Sequence, residues 1–260
     1  MPKIVFITGA TSGFGKACAY KFAANGYDLI LNGRRTDRLQ SLADELESKY
    51  NVAVLQLPFD VQVQKDVFNS INSIPENWKA IDVLVNNAGL ALGRDYFDEG
   101  DLGDWNTMID TNVKGFVYVA KAVSQLMVKN HTSTGSAGHI INMGSVAGKE
   151  VYEKGNVYCA TKFAVDAISK GMRIDMLRHN IKVTAIHPGA AETEFSIVRF
   201  KGDEATANSI YNGLKALTAD DVADVIFYCA SLPAHVCIND LTITCTRQAN
   251  AIYFNREPGS

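Results

Sequence analysis

Short apolar stretches alternate with longer amphipathic ones along the whole chain. Residues 4–8 (IVFIT) form a β-branched run that ends in a glycine-rich turn, and residues 15–25 follow at helical spacing. Residues 27–32 (YDLILN) are the next apolar run, after which residues 35–50 place Leu39, Leu42 and Leu46 on one helical face. Further apolar runs at 52–57, 81–86, 139–143, 182–187 and 241–245 are separated by helical patterns near 63–73, 105–129, 158–178 and 219–231. Strands that are apolar throughout, rather than alternating, are strands buried on both faces. Short strands of that kind alternating with helices imply βαβ units. The pattern therefore predicts an α/β fold, a doubly wound parallel sheet with helices on both faces.

No repeat, low-complexity linker or Pro/Ser-rich boundary interrupts the pattern, so residues 1–260 read as a single domain. Residues 133–138 (STGSAG) read as a loop before a strand. Residues 192–208 break the alternation just after the strand that ends in Pro188-Gly189. Ligands of open α/β sheets bind outside the carboxyl ends of the strands. The segment of about 190–212 is thus either a substrate lid or a surface loop.

Composition narrows the class. A hydrophobic content of 47% excludes intrinsic disorder. With 25 basic and 28 acidic side chains, a net charge of −3 argues against nucleic acid as a partner. No stretch approaches the roughly 18–20 apolar residues of a membrane span, and the N-terminal apolar run is too short for a signal peptide. The five cysteines are odd in number and form no C-x-x-C pair, which reads as reduced, buried thiols in an intracellular protein. The five histidines are scattered, so no metal site is expected. The expectation is a soluble, cytoplasmic protein.

Four motifs carry candidate chemistry. Gly9, Thr11, Ser12, Gly13, Phe14 and Gly15 belong to a glycine-rich turn, spaced G-x-x-x-G-x-G, between the first strand and the first helix. Missing side chains there let a pyrophosphate approach a helix N-terminus; a turn with no ligand is the alternative. At the end of the second strand, where NAD-selective sites place a carboxylate, stand Gly33, Arg34 and Arg35. Two guanidiniums would welcome a 2′-phosphate, which predicts NADP(H) over NAD unless both arginines are merely solvated. Tyr158 and Lys162 lie four apart on a predicted helix, and the ammonium should lower the phenol pKa toward a working range. Ser145 stands thirteen residues earlier at a strand end, in reach of a reacting carbonyl. Tyr211 and Lys215 repeat the Y-x-x-x-K spacing with no such serine, so Tyr211 reads as an ordinary helical tyrosine. Finally Asn86, Asn87, Ala88 and Gly89 end a strand, either lining a cofactor channel or capping it. Asn112 sits in an apolar helix as a satisfied kink amide or as a polar relay.

In this order and spacing the motifs resemble the short-chain dehydrogenase/reductase family, over nearly the whole chain. Within it the chain is most similar to the NADP-dependent 3-hydroxy acid dehydrogenases (serine or allo-threonine dehydrogenases, malonic semialdehyde reductases). Residues 85–93 (VNNAGLALG), 155–162 (GNVYCATK), 192–203 (ETEFSIVRFKGD) and 231–236 (SLPAHV) carry that likeness. Ala190 and Ala191 stand where bulkier aliphatic residues are usual and bear on pocket size.

The resemblance implies a Rossmann fold with Tyr158 as general acid/base and Ser145 orienting the substrate oxygen. Lys162 would hold the nicotinamide ribose, and Asn112 a water that relays protons to it. Asp60 and Val61 would meet the adenine, while Pro188, Gly189 and Thr193 would bracket the nicotinamide amide. Arg199, in the lid segment, is the candidate partner for a substrate carboxylate. The resemblance also implies a homotetramer, with residues 241–245 and 251–254 serving subunit packing. Another carbonyl or 3-oxoacyl-carrier-protein reductase, or a non-catalytic NADP-binding scaffold, are the competing readings.

Overall fold

The computed structural model of the chain describes residues 2–134 and 138–257. Among them, β1 (Ile4–Ile7), β2 (Asp28–Leu31), β3 (Val54–Gln56), β4 (Ile81–Asn86), β5 (His139–Met143), β6 (Lys182–Pro188) and β7 (Asp240–Ile243) form one seven-stranded sheet. Its order is β3-β2-β1-β4-β5-β6-β7 and every pairing is parallel. The order reverses between β1 and β4, so the crevice that binds ligands in such sheets opens at their carboxyl ends. Nine helices accompany the described strands: α1 (Gly13–Ala23), α2 (Thr36–Tyr50), α3 (Gln64–Asn72), α4 (Leu102–Ile109), α5 (Phe116–Thr134), α6 (Asn156–Met176), α7 (Glu194–Arg199), α8 (Glu204–Ser209) and α9 (Ala219–Ser231).

Alternate strand residues feed opposite cores. Val5, Ile7, Leu29, Leu31, Val83 and Val85 pack with α1, α2 and α9, whereas Ile4, Phe6, Ile30, Ile81 and Leu84 pack with α3, α5 and α6. Both sets are buried, which is why the strands show no polar alternation. Phe22 of α1 meets Tyr27 and Phe227 edge-on, at 5.0 and 5.3 Å between ring centres, and so ties α1 to β2 and α9. Thr218 and Asp221 close a reciprocal capping box at the start of α9.

Two elements differ from expectation. The helix expected over 105–129 is broken: α4 and α5 are joined by a π-helical stretch, Asp110–Gly115. The outermost strand β3 is shorter than the expected 52–57, because its only partner is β2, paired over Leu29, Ile30 and Leu31. Of the loop expected at 133–138, the first two positions instead end α5, and residues 135–137 lie outside the described residues.

His139 starts β5 fully inside the protein, 2% exposed. Its Nε2 is 2.7 Å from Thr184 Oγ1, and its Nδ1 has no partner among the described residues. Burial holds its pKa down at about 3, against an ordinary 6.5. The unfolded chain therefore takes up this proton near its ordinary pKa while the folded chain refuses it. Protonation thus favours unfolding, and stability is lost as pH falls below the ordinary value. His139→Gln removes that penalty: the unfolding free energies of wild type and variant should converge by about 1 kcal/mol between roughly pH 6 and pH 5. A gap that stays constant across that interval in urea titrations would contradict the buried neutral ring.

Candidate active site

The turn after β1 is shaped to receive an anion. Gly9 (φ +65°) and Gly13 (φ +50°) take the left-handed conformation that side chains disfavour. At Gly15 a Cβ would lie 2.2 Å from the Gly9 carbonyl oxygen. Ser12 stands at the N-cap of α1 but makes no side-chain cap, which leaves the first-turn N–H groups to another partner at the positive end of the helix dipole. Asn87 braces the turn: its Nδ2 donates to the Thr8 carbonyl at 2.9 Å, and the N–H groups of Asn87 and Ala88 donate to Thr8 Oγ1. The Asn86 amide donates to the Phe116 carbonyl. Both amides act as struts, while Asn87, Ala88 and Gly89 form part of the cleft wall.

At the end of β2, Gly33, Arg34 and Arg35 line the cleft. Arg35 Nη2 donates to Thr11 Oγ1 at 3.0 Å, and Arg34 Nη1 lies 3.5 Å from Asp60 Oδ2. A third guanidinium, Arg38, joins them. Arg35 and Arg38 share the carboxylate of Glu194 at 3.6 and 3.2 Å, which clasps α2 to the start of α7. Arg38 and Glu194 are 156 positions apart, and no local signal in the chain connects them.

The residues expected to react converge at the end of β5. Ser145 precedes a 3-10 turn, Val146–Gly148; its Oγ accepts from the Ala147 N–H at 3.1 Å, and it lines the same cleft as the Tyr158 phenol. Gly148 lies so close to α6 that a Cβ would be 2.6 Å from the Lys162 carbonyl oxygen, which sets the approach of that turn to the helix. Tyr158 and Lys162 are both buried and both line the cleft. Lys162 Nζ donates to the Met143 carbonyl at 2.9 Å. Burial lowers its pKa to about 8.

The expected depression of the phenol is not what this geometry produces. Burial, followed by the neighbouring Tyr152, pushes Tyr158 well above the ordinary range, against smaller opposing pulls from Ser145 and Arg199. Lys162 Nζ is 6.0 Å from the phenol ring centre and engaged with Met143, so the cation that pulls on the phenol is Arg199. A phenol held protonated is suited to donate.

Asn112 occupies the π-helical stretch. Its Oδ1 accepts from the Leu90 N–H at 2.9 Å, and its Nδ2 donates to the Leu90 carbonyl at 2.7 Å and to Thr161 Oγ1 at 3.1 Å. The side chain is thus a satisfied amide that ties the loop after β4 to α6. An extra residue in a helical turn is a common device for re-aiming backbone near a site.

Arg199 closes the other side. It is 8% exposed, with Nε donating to the Gly93 carbonyl at 3.3 Å and Nη1 to the Tyr152 hydroxyl at 3.0 Å. Its guanidinium carbon is 5.4 Å from the centre of the Tyr158 ring, and its buried Nη2 has no partner among the described residues. Among the described residues no carboxylate pairs with it. A buried guanidinium lacking a counter-charge is costly, and an anionic ligand resolves that cost.

Tyr211 is a turn residue rather than a helical one; its hydroxyl donates to the Ala191 carbonyl at 2.8 Å and pins the 190–212 segment over the cleft. Thr193 caps α7 and packs above Gly13. Asp60, Val61, Pro188, Gly189, Thr193 and Arg199 all line one cleft of about 790 Å³. Tyr152, Arg94, Phe195 and Gln248 line it too, and sequence reasoning missed them. Gln248 reaches the cleft from beyond β7, its Oε1 accepting from the Ala190 N–H at 2.7 Å.

Comparisons with known proteins agree with this geometry. A family model described as short chain dehydrogenase matches residues 3–203. Sulfoacetaldehyde reductase 2 of Chromohalobacter salexigens is 46% identical over 96% of each chain. The NADP-dependent 3-hydroxy acid dehydrogenase YdfG of Escherichia coli is 45% identical over 95% of this chain and 97% of that one. The closed form of serine dehydrogenase complexed with NADP+ superposes with a TM-score of 0.88 at 44% identity, covering 98% of this chain and all of that one.

Proposed function

The chain belongs to the short-chain dehydrogenase family, and on that premise we propose that it is an NADP(H)-dependent oxidoreductase interconverting a small 3-hydroxy acid and its 3-oxo acid. The observation that carries the reading is a buried, partly unsatisfied guanidinium 5.4 Å from the ring of Tyr158, with Ser145 lining the same cleft. The residues also fit the cofactor. Gly9 and Gly13 hold left-handed backbone and Gly15 has no room for a Cβ, while Arg34, Arg35 and Arg38 gather where a 2′-phosphate would lie.

When bound, NADPH supplies the hydride. Tyr158 donates its proton to the oxygen of the substrate carbonyl, and the Ser145 hydroxyl donates a hydrogen bond to the same oxygen. Lys162, whose ammonium is within reach of the Met143 carbonyl, holds the nicotinamide ribose. Arg199 receives the substrate anion through Nη2 and the Tyr152 hydroxyl. Oxidation of the hydroxy acid runs the same steps backwards. Arg199 recognises charge rather than carboxylate shape. A sulfonate in that place is therefore a second reading, favoured by the likeness to sulfoacetaldehyde reductases.

Residues 1–260 act in this reading as one unit with residues 190–212 as its lid. No helix among the described residues is long and apolar enough to cross a membrane. The reading places a homotetramer in the cytoplasm, with the edge strand β7 and the exposed Ile252 and Tyr253 against a second copy; light scattering giving any other mass would remove that assembly.

The test is a panel following NADPH absorbance with malonic semialdehyde, sulfoacetaldehyde, an acetoacetyl thioester and a neutral aldehyde of equal size, and NADP+ reduction with serine and 3-hydroxypropionate. Turnover should favour the small anions, and NADP(H) should outperform NAD(H) by at least roughly tenfold in kcat/KM, the size of one charge-assisted contact. Equal turnover with NAD(H) at equal concentration, or preference for the thioester, would defeat the assignment.

A further inference from the structure

One buried titratable group has no part in that chemistry. His187, the residue before Pro188-Gly189, is fully buried at the end of β6. Its Nδ1 lies 3.3 Å from the Ser145 carbonyl oxygen, and its Nε2 lies 3.2 Å from Asp240 Oδ2 and 3.7 Å from Asp166 Oδ1. The imidazole fills the space beside Gly144, where a Cβ would sit 2.4 Å from Nδ1. These carboxylates and this histidine could together ligate a cation, but Lys149 Nζ already stands 2.8 Å from both Asp166 and Asp240. The cluster joins the four elements that carry the site. Lys149 follows the 3-10 turn of Ser145. Asp166 is one helical turn beyond Lys162 on α6, and His187 and Asp240 end β6 and begin β7.

We propose that His187 is a positioning residue for Ser145: its Nδ1–H donates to the Ser145 carbonyl and fixes the peptide whose hydroxyl meets the substrate oxygen. Both ring nitrogens face atoms that only accept, namely a peptide carbonyl and carboxylates. A neutral ring carries one N–H, so only one of the two contacts is a donated hydrogen bond. That proton sits on Nδ1, and Lys149, paired with both Asp166 and Asp240, offsets the carboxylate charge that Nε2 faces. Ser145 has a second tether in the Gly148 N–H, which donates to the same carbonyl at 2.8 Å. The contribution of His187 is the angle of that carbonyl, and through it the aim of Oγ.

The inference rests on Ser145 acting on the substrate oxygen, and the experiment separates the two. An asparagine amide reproduces the Nδ1 position of histidine and a glutamine amide the Nε2 position. His187→Asn thus keeps the donor to Ser145, whereas His187→Gln keeps only the contact to Asp240. With NADPH and malonic semialdehyde, His187→Gln should lower kcat about tenfold with NADPH affinity by fluorescence titration unchanged, and His187→Asn should stay within about threefold of wild type. Asp240→Asn leaves the Nδ1 contact in place and should also stay within about threefold.

Equal losses in the two His187 variants, a wild-type kcat in His187→Gln, or a tenfold loss in Asp240→Asn would overturn the proposal. Should His187→Gln fail to fold, His187→Asn and Asp240→Asn decide alone, and both must retain kcat. Ser145→Ala is run alongside: a wild-type kcat there would remove the role of Ser145 itself, whatever the His187 variants do.

Discussion

Tyr158→Phe should abolish almost all turnover and leave NADPH binding as it is. In the proposed reaction the hydroxyl gives its proton to the developing alkoxide, and general-acid assistance of this kind contributes ~10²–10⁴-fold. The ring itself is buried, with Phe195 at 5.8 Å between ring centres, so phenylalanine keeps the packing and removes only the oxygen. The Ser145 hydroxyl on the same cleft wall accepts from the Ala147 N–H in either case and is not left stranded. Melting temperature and NADPH fluorescence should therefore match wild type while kcat falls. Retention of more than about a tenth of wild-type kcat would be too much for a missing general acid and would exclude Tyr158 from that role.

Arg199→Met should raise KM for anionic substrates and spare neutral ones. Methionine keeps much of the aliphatic stem that α7 packs inward, and it removes the charge and the free Nη2. A hydrogen bond to a charged group is worth about 1.5–3 kcal/mol, so KM for malonic semialdehyde should rise roughly ten- to a hundredfold. A neutral aldehyde of similar length should show little change. Loss of the guanidinium also frees the Tyr152 hydroxyl and the Gly93 carbonyl, to which it donates at 3.0 and 3.3 Å. An equal rise for charged and neutral substrates would mean that Arg199 holds the loop at Gly93 and does not meet the ligand.

How far the chain could be read before its structure depended on the range of the interaction. Strands 81–86 and 139–143 and the helix at 219–231 coincide with the observed elements, because apolar runs and helical spacing are local properties. The placement of the glycine turn after β1, of Ser145 beyond β5 and of Tyr158 and Lys162 on α6 was legible because each couples a residue type to the end of a strand or one face of a helix. The π-helical stretch was not, since one added residue in a helical turn leaves the apolar pattern almost unchanged. Nor was Tyr211: its spacing to Lys215 suggests a helix, and its position is decided by the Ala191 carbonyl twenty residues away. The expected pull of Lys162 on the phenol failed for a similar reason. Four residues of helix bring two side chains to one face, but the Met143 carbonyl on β5 decides where the ammonium points. The Glu194 clasp on Arg35 and Arg38 likewise depends wholly on the way the sheet is wound.

The near-contacts at Gly15, Gly148 and Gly189 bear on how freely this chain can drift. At each, a single added methyl would come within 2.2, 2.6 or 2.1 Å of a carbonyl oxygen or a bound amide. Conservative-looking changes to alanine are therefore the hazardous ones, while the charged residues of the outer helix faces can be exchanged at small cost. The turn after β1, the approach of the Ser145 loop to α6 and the wall at Gly189 are thus set by atoms the protein omits, and there the smallest added side chain is the hazard.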